Sequence, residues 1–232
     1  AKTEHRFTGV TWLQTPDVAM YGEYDRDRRW TRTWMIDLAL ADDPKNTPTL
    51  VWDRSVNDRY GDPGRPVMTE LPNGRVVALV HENTIYLNGG GATPEGDRPF
   101  LDRLNLDSLK TERLWQCTGD SYESVVDVLA PDASKVLTRF ETTTVPPNYY
   151  VRDLAGHAKA DRQVTNFPDP TPELRGIRRE IVKYTRDDGV QLSATLYLPA
   201  DHVKGEKLPL LVWAYPQEFN DASTAGQVSG SP

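Results

Sequence analysis

The sequence has few of the features that define several common protein classes. Its single cysteine, Cys117, excludes an internal disulfide and a cysteine-rich metal site. No His or helix start adjoins Cys117 in sequence, which favours a structural thiol over a reactive one. No stretch approaches the roughly 18 apolar residues of a membrane span, and no signal-peptide pattern opens the chain. A membrane protein is therefore not expected, and the compartment stays open between cytoplasmic and periplasmic or secreted.

Basic residues are also fewer than acidic residues. The 232 residues include 27 Lys and Arg against 34 Asp and Glu, a formal net charge of -7. Nucleic-acid binding needs clustered basic side chains that neutralise phosphates, so a nucleic-acid partner is not expected. The acidic and basic residues are interspersed, which is typical of a solvated surface.

Motifs for local catalysis or cofactor binding are missing. The pentapeptide Gly-x-Ser-x-Gly, which raises the nucleophile of an α/β-hydrolase on a tight turn, does not occur, and residues 228–232 approach it without the first Gly. The three glycines at 89–91 precede neither Gly-Lys-Ser/Thr nor a helix pattern. Residues 88–97 are therefore interpreted as a flexible inter-strand loop rather than a phosphate site. No second ligand stands at metal-binding spacing from any of the four histidines, His5, His81, His157 and His202. We therefore expect no metal or cofactor.

The first two thirds of the chain contain a repeat of short β-strand patterns separated by turn residues. The first copy predicts strands at residues 9–12, 18–21, 30–38 and 49–52. The second copy predicts strands at residues 66–69, 76–80, 100–106 and 112–115. The third copy predicts strands at residues 124–129, 136–140, 149–154 and 163–167. Such four-strand units are typical of β-propeller blades, with a β-sandwich as the alternative.

Three blades do not close a ring. Propellers have at least about four blades, so the first and last blades here would expose apolar faces. The chain also begins at Ala1 rather than Met. We therefore expect it to be processed or to be part of a larger molecule.

A different pattern follows the Pro-rich residues 168–172, whose prolines disfavour helix and central strand and suit a stiff linker. Residues 180–186 and 190–199 flank an Asp-Asp-Gly turn and predict a β-hairpin. Residues 208–214 form a continuous apolar run, typical of a strand buried on both faces of an α/β sheet. Tyr215 begins the loop after this run, where such sheets place functional groups.

Three stretches carry a family resemblance: the hairpin VKYTRDDGVQLSATLYLP, the run LPLLVWAYPQEF and the tail AGQVSGSP. Together they resemble the start of the catalytic domain of a prolyl oligopeptidase-family serine peptidase, and most of all its glutamyl endopeptidase branch. The resemblance is dense over residues 167–232 and rests on the repeat pattern before them. It implies a mainly β chain with a partial β-propeller of about three four-stranded blades over residues 1–168. A Pro-rich linker over 169–178 would lead to the first strands of an incomplete α/β-hydrolase domain over 179–232.

The resemblance also implies an activity. The complete protein would hydrolyse peptide bonds, after glutamate, in oligopeptides admitted by the propeller. Its nucleophilic Ser, Asp and His would lie beyond Pro232, so this chain alone would lack the catalytic triad. The implied partners are an oligopeptide substrate and the rest of the same polypeptide, which would supply the remaining propeller and catalytic domain.

Tyr215 is the candidate oxyanion-hole residue. In the prolyl oligopeptidase family a tyrosine at this place, in a Tyr-Gly-Gly-Phe context, donates its hydroxyl to the oxyanion. Here Pro216, Gln217 and Glu218 replace the glycines, which departs from the family pattern. The alternative is a buried tyrosine at the end of a strand.

Several alternatives stay open. Cleavage after glutamate calls for a cationic pocket, but the sequence does not choose between Arg178, Arg179 and other arginines. Glu218 is interpreted as a residue that orders its loop. The function alternatives are a non-enzymatic β-propeller interaction module, against which the apolar run argues, and an esterase of the α/β-hydrolase fold. The oligomeric state is left open.

Overall fold

The computed structural model describes residues 3–40, 42–156, 161–214, 219, 221–228 and 230. Nearly all of the regular structure in these residues is β-strand, and every pair of named strands is antiparallel. No described helix is long and apolar enough to cross a lipid bilayer.

Blade 1 is a four-stranded meander in which sequence neighbours pair in order. Its strands are β1 (Arg6–Trp12), β2 (Val18–Asp25), β3 (Trp30–Asp37) and β4 (Thr49–Ser55). A short 3₁₀ helix at Leu38–Leu40 follows β3. The four strands predicted for the first copy are confirmed.

Blade 2 is less regular and contains more strands than the sequence pattern predicts. Its order is β13-β12-β9-β5, with β8 also paired to β9. Two small hairpins, β6–β7 and β10–β11, accompany it. The strands are β5 (Arg65–Pro66), β6 (Met68–Glu70), β7 (Val76–Ala78), β8 (Val80–His81), β9 (Thr84–Gly89), β10 (Ala92–Thr93), β11 (Gly96–Asp97), β12 (Phe100–Asn105) and β13 (Thr111–Gln116).

Strand β9 is the main difference from the sequence prediction for this copy. Its central residues, Ile85, Tyr86 and Leu87, are all buried, and β9 pairs with β12 along its whole length. Residues 88–97 are therefore not a single flexible loop, because they contain the end of β9 and the β10–β11 hairpin. A strand buried on both faces lacks the alternation of apolar and polar residues by which the other strands were identified.

Blade 3 repeats the simple meander of blade 1. Its strands are β14 (Ser121–Val128), β15 (Lys135–Thr142), β16 (Asn148–Asp153) and β17 (Arg162–Gln163). The third predicted copy is confirmed, with a last strand shorter than the pattern predicts. Cys117 lies just before β14 and is buried, where its thiol accepts the backbone N–H of Glu123 at 3.2 Å.

The blades stack face to face through two apolar clusters. Between blades 1 and 2 lie Leu13, Met20, Ala78, Ile85, Leu87, Leu104 and Leu106. Between blades 2 and 3 lie Leu79, Tyr86, Leu101, Val125, Ala133 and Val136. Successive residues of β9 enter different clusters because side chains alternate across a strand. Phe7 and Trp12, on the edge strand β1 of blade 1, are about half exposed, at 54% and 45%, as expected for the first blade of this chain.

The β-hairpin predicted after the Pro-rich segment is confirmed. A 3₁₀ turn at Pro172–Leu174 precedes strands β18 (Arg178–Thr185) and β19 (Gln191–Leu198), which pair without a register shift. A one-turn helix, α1 (Ala222–Ala225), lies near the end of the chain and packs beside β19.

The buried strand predicted at residues 208–214 is contradicted by the structure. These residues belong to no strand or helix, and Leu211 and Trp213 are 89% and 87% exposed. A strand requires a neighbour that pairs with its backbone N–H and C=O groups. Within the described part of the chain no strand lies beside this run, so its apolar side chains face solvent.

Candidate functional site

Tyr215, the candidate oxyanion donor, lies outside the described residues together with Pro216, Gln217 and Glu218. Its position therefore remains a prediction. The structure does describe the segments on either side: the exposed apolar run at 208–214 and the tail at 221–228. These segments define the surroundings in which a site would be built.

The two arginines considered for a cationic pocket lie next to each other at the start of β18 but point to different surroundings. Arg178 is exposed and donates from Nη2 to the carbonyl oxygen of His202 at 2.7 Å. Arg179 is half-buried, opposite Tyr197 in the hairpin, and its guanidinium lies beside Gly230 in the tail. The structure thus separates these two cations rather than combining them in one pocket.

The tail packs between the hairpin and the blades. At the start of α1, Asp221 accepts the backbone N–H of Ser223 at 2.8 Å, which caps the helix. The Ser223 hydroxyl also donates to this carboxylate and holds the pKa of Asp221 below its usual value. Gly226 lies so close to the Gln191 carbonyl that a Cβ would overlap it. Thr224 and Val228 are buried, which fixes the tail in place.

An open cleft of about 480 Å³ lies where the tail, the hairpin turn and the blades meet. Its walls are Tyr60, residues 188–191, Ala222, Ser223, Gly226 and Gln227. Asp188, the carboxylate among the residues that line the cleft, accepts two hydrogen bonds from Arg186, at 2.6 and 2.9 Å. These hydrogen bonds lower the pKa of Asp188 to about 2. A paired carboxylate of this kind is a poor general base at neutral pH.

The described residues contain no group of three or more His, Cys, Asp or Glu side chains arranged to hold a metal ion. His5 lies 3.8 Å from Asp25, and His202 contacts Arg178, while His157 lies outside the described residues. The chain also lacks Gly-x-Ser-x-Gly. The described residues of the cleft thus include neither a group that could hold a metal ion nor the turn that carries an α/β-hydrolase nucleophile.

The sequence pattern did not predict the three buried carboxylates of the blades, which are Glu23, Asp102 and Glu123. Glu23 on β2 accepts the backbone N–H groups of Glu4 and His5, at 2.9 and 3.2 Å, and the indole N–H of Trp34 at 3.2 Å. The signal that would have found it is a charged residue within the apolar pattern of a strand. Its donors make Glu23 a structural group that ties the start of the chain to blade 1.

Glu123 on β14 is a buried carboxylate of blade 3. It accepts the Thr138 hydroxyl at 2.5 Å and the Arg152 guanidinium at 2.8 Å. Arg152 in turn lies over the Tyr150 ring at 4.7 Å. A buried carboxylate that is paired with a cation in this way is structural, because an unpaired buried carboxylate is strongly destabilising.

No family model matches the chain. Two curated plant proteins match it along its whole length, and both are named probable glutamyl endopeptidase, chloroplastic. The protein from Oryza sativa subsp. japonica is 39% identical over 247 residues, which cover 100% of this chain and 26% of that protein. The protein from Arabidopsis thaliana is 37% identical over 248 residues, which cover 100% and 25%. The chain thus spans about a quarter of the length of these relatives.

Solved structures with a similar arrangement include two peptidases. Oligopeptidase B from Leishmania major aligns with a TM-score of 0.47 at 9% identity, over 88% of this chain and 33% of that one. A putative dipeptidyl aminopeptidase IV from Bacteroides ovatus aligns with a TM-score of 0.45 at 15% identity, over 89% and 36%. The chain is similar along its whole length to two proteins named probable glutamyl endopeptidase, which confirms the family resemblance predicted from its sequence.

Proposed function

We propose that the full-length protein is a serine peptidase that cleaves peptide bonds after glutamate in oligopeptides. The observation that supports this most directly is the 39% identity to a probable glutamyl endopeptidase over the whole of this chain. In this proposal residues 1–168 are part of the propeller that admits the substrate, 169–178 are the linker, and 179–232 begin the peptidase domain. The catalytic Ser, Asp and His are supplied by polypeptide outside this chain.

Within this proposal Tyr215 donates its hydroxyl to the oxyanion that forms when the serine attacks the scissile carbonyl. One donor in such sites is the backbone N–H after the nucleophile, and a second comes from a loop after a sheet strand. Tyr215 follows the apolar run 208–214, which in the full-length protein would gain neighbouring strands and become buried. That burial would place the hydroxyl in a water-poor site, where a hydrogen bond to developing charge is strongest.

The test compares fluorogenic peptides that differ only in the residue before the scissile bond: Glu, Gln, Asp, Pro or Lys. With the purified full-length protein we expect kcat/KM for Glu to exceed that for Gln at least about tenfold, because a cationic pocket binds the carboxylate but not the amide. A fluorophosphonate probe should label one serine and abolish hydrolysis in parallel.

Other results would contradict the proposal. Faster cleavage after Pro or Lys would reject the glutamate preference. Hydrolysis of esters without peptides would indicate an esterase. Neither hydrolysis nor probe labelling would favour the non-enzymatic interaction module.

A further inference from the structure

Gln227, near the end of the chain, contacts the connection between β4 and β5, more than 160 residues earlier in sequence. Its side-chain Oε1 accepts the backbone N–H of Arg59 at 2.6 Å and that of Tyr60 at 3.3 Å. Its Nε2 donates to Oδ1 of Asp58 at 2.9 Å. One side chain therefore bonds to three successive residues of the propeller.

The chemistry of these three partners specifies an amide. Two backbone N–H groups need an acceptor, and the carboxylate of Asp58 needs a donor, so the carbonyl and amino ends of Gln227 each face the group they can satisfy. A glutamate at this position would bring a second negative charge against Asp58. A lysine would offer no acceptor to Arg59 and Tyr60.

A second set of contacts holds the same tail. The backbone N–H of Val228 donates to the Tyr60 hydroxyl at 2.8 Å, and the Val228 side chain is buried. Two residues on, Gly230 accepts the backbone N–H of Asp97 at 2.8 Å and donates its own to the Asp97 carboxylate at 3.1 Å. Asp97 lies on the β10–β11 hairpin, so blade 2 also takes part.

The opposite side of the tail rests on the hairpin β18–β19. Gly226 approaches the Gln191 carbonyl closely enough that a Cβ would overlap it. The tail is thus held between the propeller on one side and the hairpin on the other. Separation of these two parts requires the tail to lose its contacts on one side, either those of Gln227 and Val228 with the propeller or that of Gly226 with the hairpin.

We propose that Gln227 is a positioning residue that clamps the segment after Tyr215 onto the propeller. The clamp consists of Asp58, Arg59, Tyr60, Gln227 and Val228. It fixes the spacing between the blades and the peptidase segment, and it governs how readily the two open at this edge. This role does not depend on which peptide bond the protein cleaves.

The test is hydrogen exchange measured on the full-length protein and on Gln227→Ala. Loss of the amide side chain removes the acceptor for the Arg59 and Tyr60 N–H groups, so we expect peptides spanning 58–61 and 222–230 to exchange about tenfold faster. The matched control is Gln163→Ala, an exposed glutamine on β17 that bonds only to the Thr165 carbonyl among its described partners. The control should change exchange only around 162–166.

A second variant is needed in case Gln227→Ala destabilises the whole protein and so speeds hydrogen exchange in every peptide. Tyr60→Phe removes only the acceptor for the Val228 N–H, so we expect faster exchange in 226–230 with the blades unchanged. Unchanged exchange in 58–61 and 222–230 for Gln227→Ala, or in 226–230 for Tyr60→Phe, would overturn the proposal. The measurement needs no substrate, so its outcome is distinguishable from failure of the proposed peptidase activity.

Discussion

Glu23 is a carboxylate held inside blade 1 by donors from three parts of the chain. Burial acts to raise its pKa, but the N–H groups of His5, Trp34 and Glu4 and the charge of Arg32 outweigh burial. The pKa of Glu23 in the folded protein is therefore below its ordinary value of 4.5. A lowered folded pKa means that the ionised carboxylate stabilises the fold above the unfolded pKa, and that this contribution is lost as the pH falls through the folded pKa.

We therefore expect Glu23→Gln to lower the free energy of unfolding by about 1 to 3 kcal/mol at pH 7, since its donors lose a charged acceptor. The deficit should start to shrink as the pH falls below about 4.5, where Glu23 of the unfolded chain becomes protonated, and should disappear as the pH falls through the lower pKa of folded Glu23. Urea unfolding at pH 7, 5.5, 4.5 and 3.5 measures the deficit in unfolding free energy and its dependence on pH. Glu70→Gln, at an exposed position on β6, is the control and should stay within about 0.5 kcal/mol of wild type. A constant deficit at every pH would refute the role of ionisation.

Tyr215 is the candidate donor of a hydrogen bond to the oxyanion. In the full-length protein Tyr215→Phe should lower kcat about tenfold or more with little change in KM, because an oxyanion hydrogen bond forms in the transition state. Steady-state kinetics on the glutamyl peptide measures the effect. Tyr197→Phe removes the same hydroxyl from a side chain that is 63% exposed on β19, and should leave kcat unchanged. Wild-type kcat in Tyr215→Phe would remove the assignment.

At the scale of elements, the glycines at 89–91 form a close crossing of two backbones. Gly91 has a φ of 60° and accepts the Arg98 N–H at 2.7 Å, and a Cβ on Gly91 would overlap the Arg98 carbonyl oxygen. A Cβ on Gly90 would meet nothing within 4 Å. Only one of these two neighbouring glycines is therefore required by its surroundings.

The expected result is that Gly91→Ala lowers the free energy of unfolding by about 2 kcal/mol, from strain and overlap. Gly90→Ala should be neutral or stabilise by up to about 1 kcal/mol, since alanine restricts the unfolded chain. Chemical denaturation of both variants measures their free energies of unfolding. Equal effects would mean that the crossing tolerates a side chain.

The sequence correctly predicted the strands whose pairing partners lie nearby in the chain. Alternating patterns and Gly-containing turns located the meanders of blades 1 and 3 and the hairpin around Asp188, because each of these strands has its partner nearby in sequence. Strand β9 was missed because burial on both faces removes the alternation of Tyr86 with its neighbours. The strand at 208–214 was predicted from its apolar character alone, whereas a strand also depends on neighbours, which no local pattern supplies.

The candidate site was predictable to a smaller degree. The sequence placed Tyr215 after an apolar run, but nothing local in it showed that Gln227 bonds to Arg59 and Tyr60. Contacts across more than 160 residues depend on how the blades and the tail pack, and a single sequence carries no direct signal of that packing.

At the scale of the whole molecule, the apolar run at 208–214 should control self-association of the 232-residue chain. Leu211 and Trp213 are almost fully exposed, so the double substitution Leu211→Lys with Trp213→Lys should reduce aggregation without lowering the unfolding midpoint. Light scattering and thermal unfolding measure the two quantities. In the full-length protein the same substitutions should abolish activity, because there we expect the run to be buried.

The control is Val203→Lys, which changes an apolar side chain that is 67% exposed just before the run. It should reduce aggregation less than the double substitution. A full-length double variant with wild-type activity would show that the run never enters a sheet.

Blade 2 packs against both of the other blades, through one apolar cluster on each of its faces. Its strand β9 sends Ile85 and Leu87 to one neighbouring blade and Tyr86 to the other, so each outer blade is attached through a single interface. In arrays of this kind, stability is the sum of each unit and its adjoining contacts. Heating the 232-residue chain should therefore disrupt blades 1 and 3 first, and the amides of blade 2 should be the last to lose their protection.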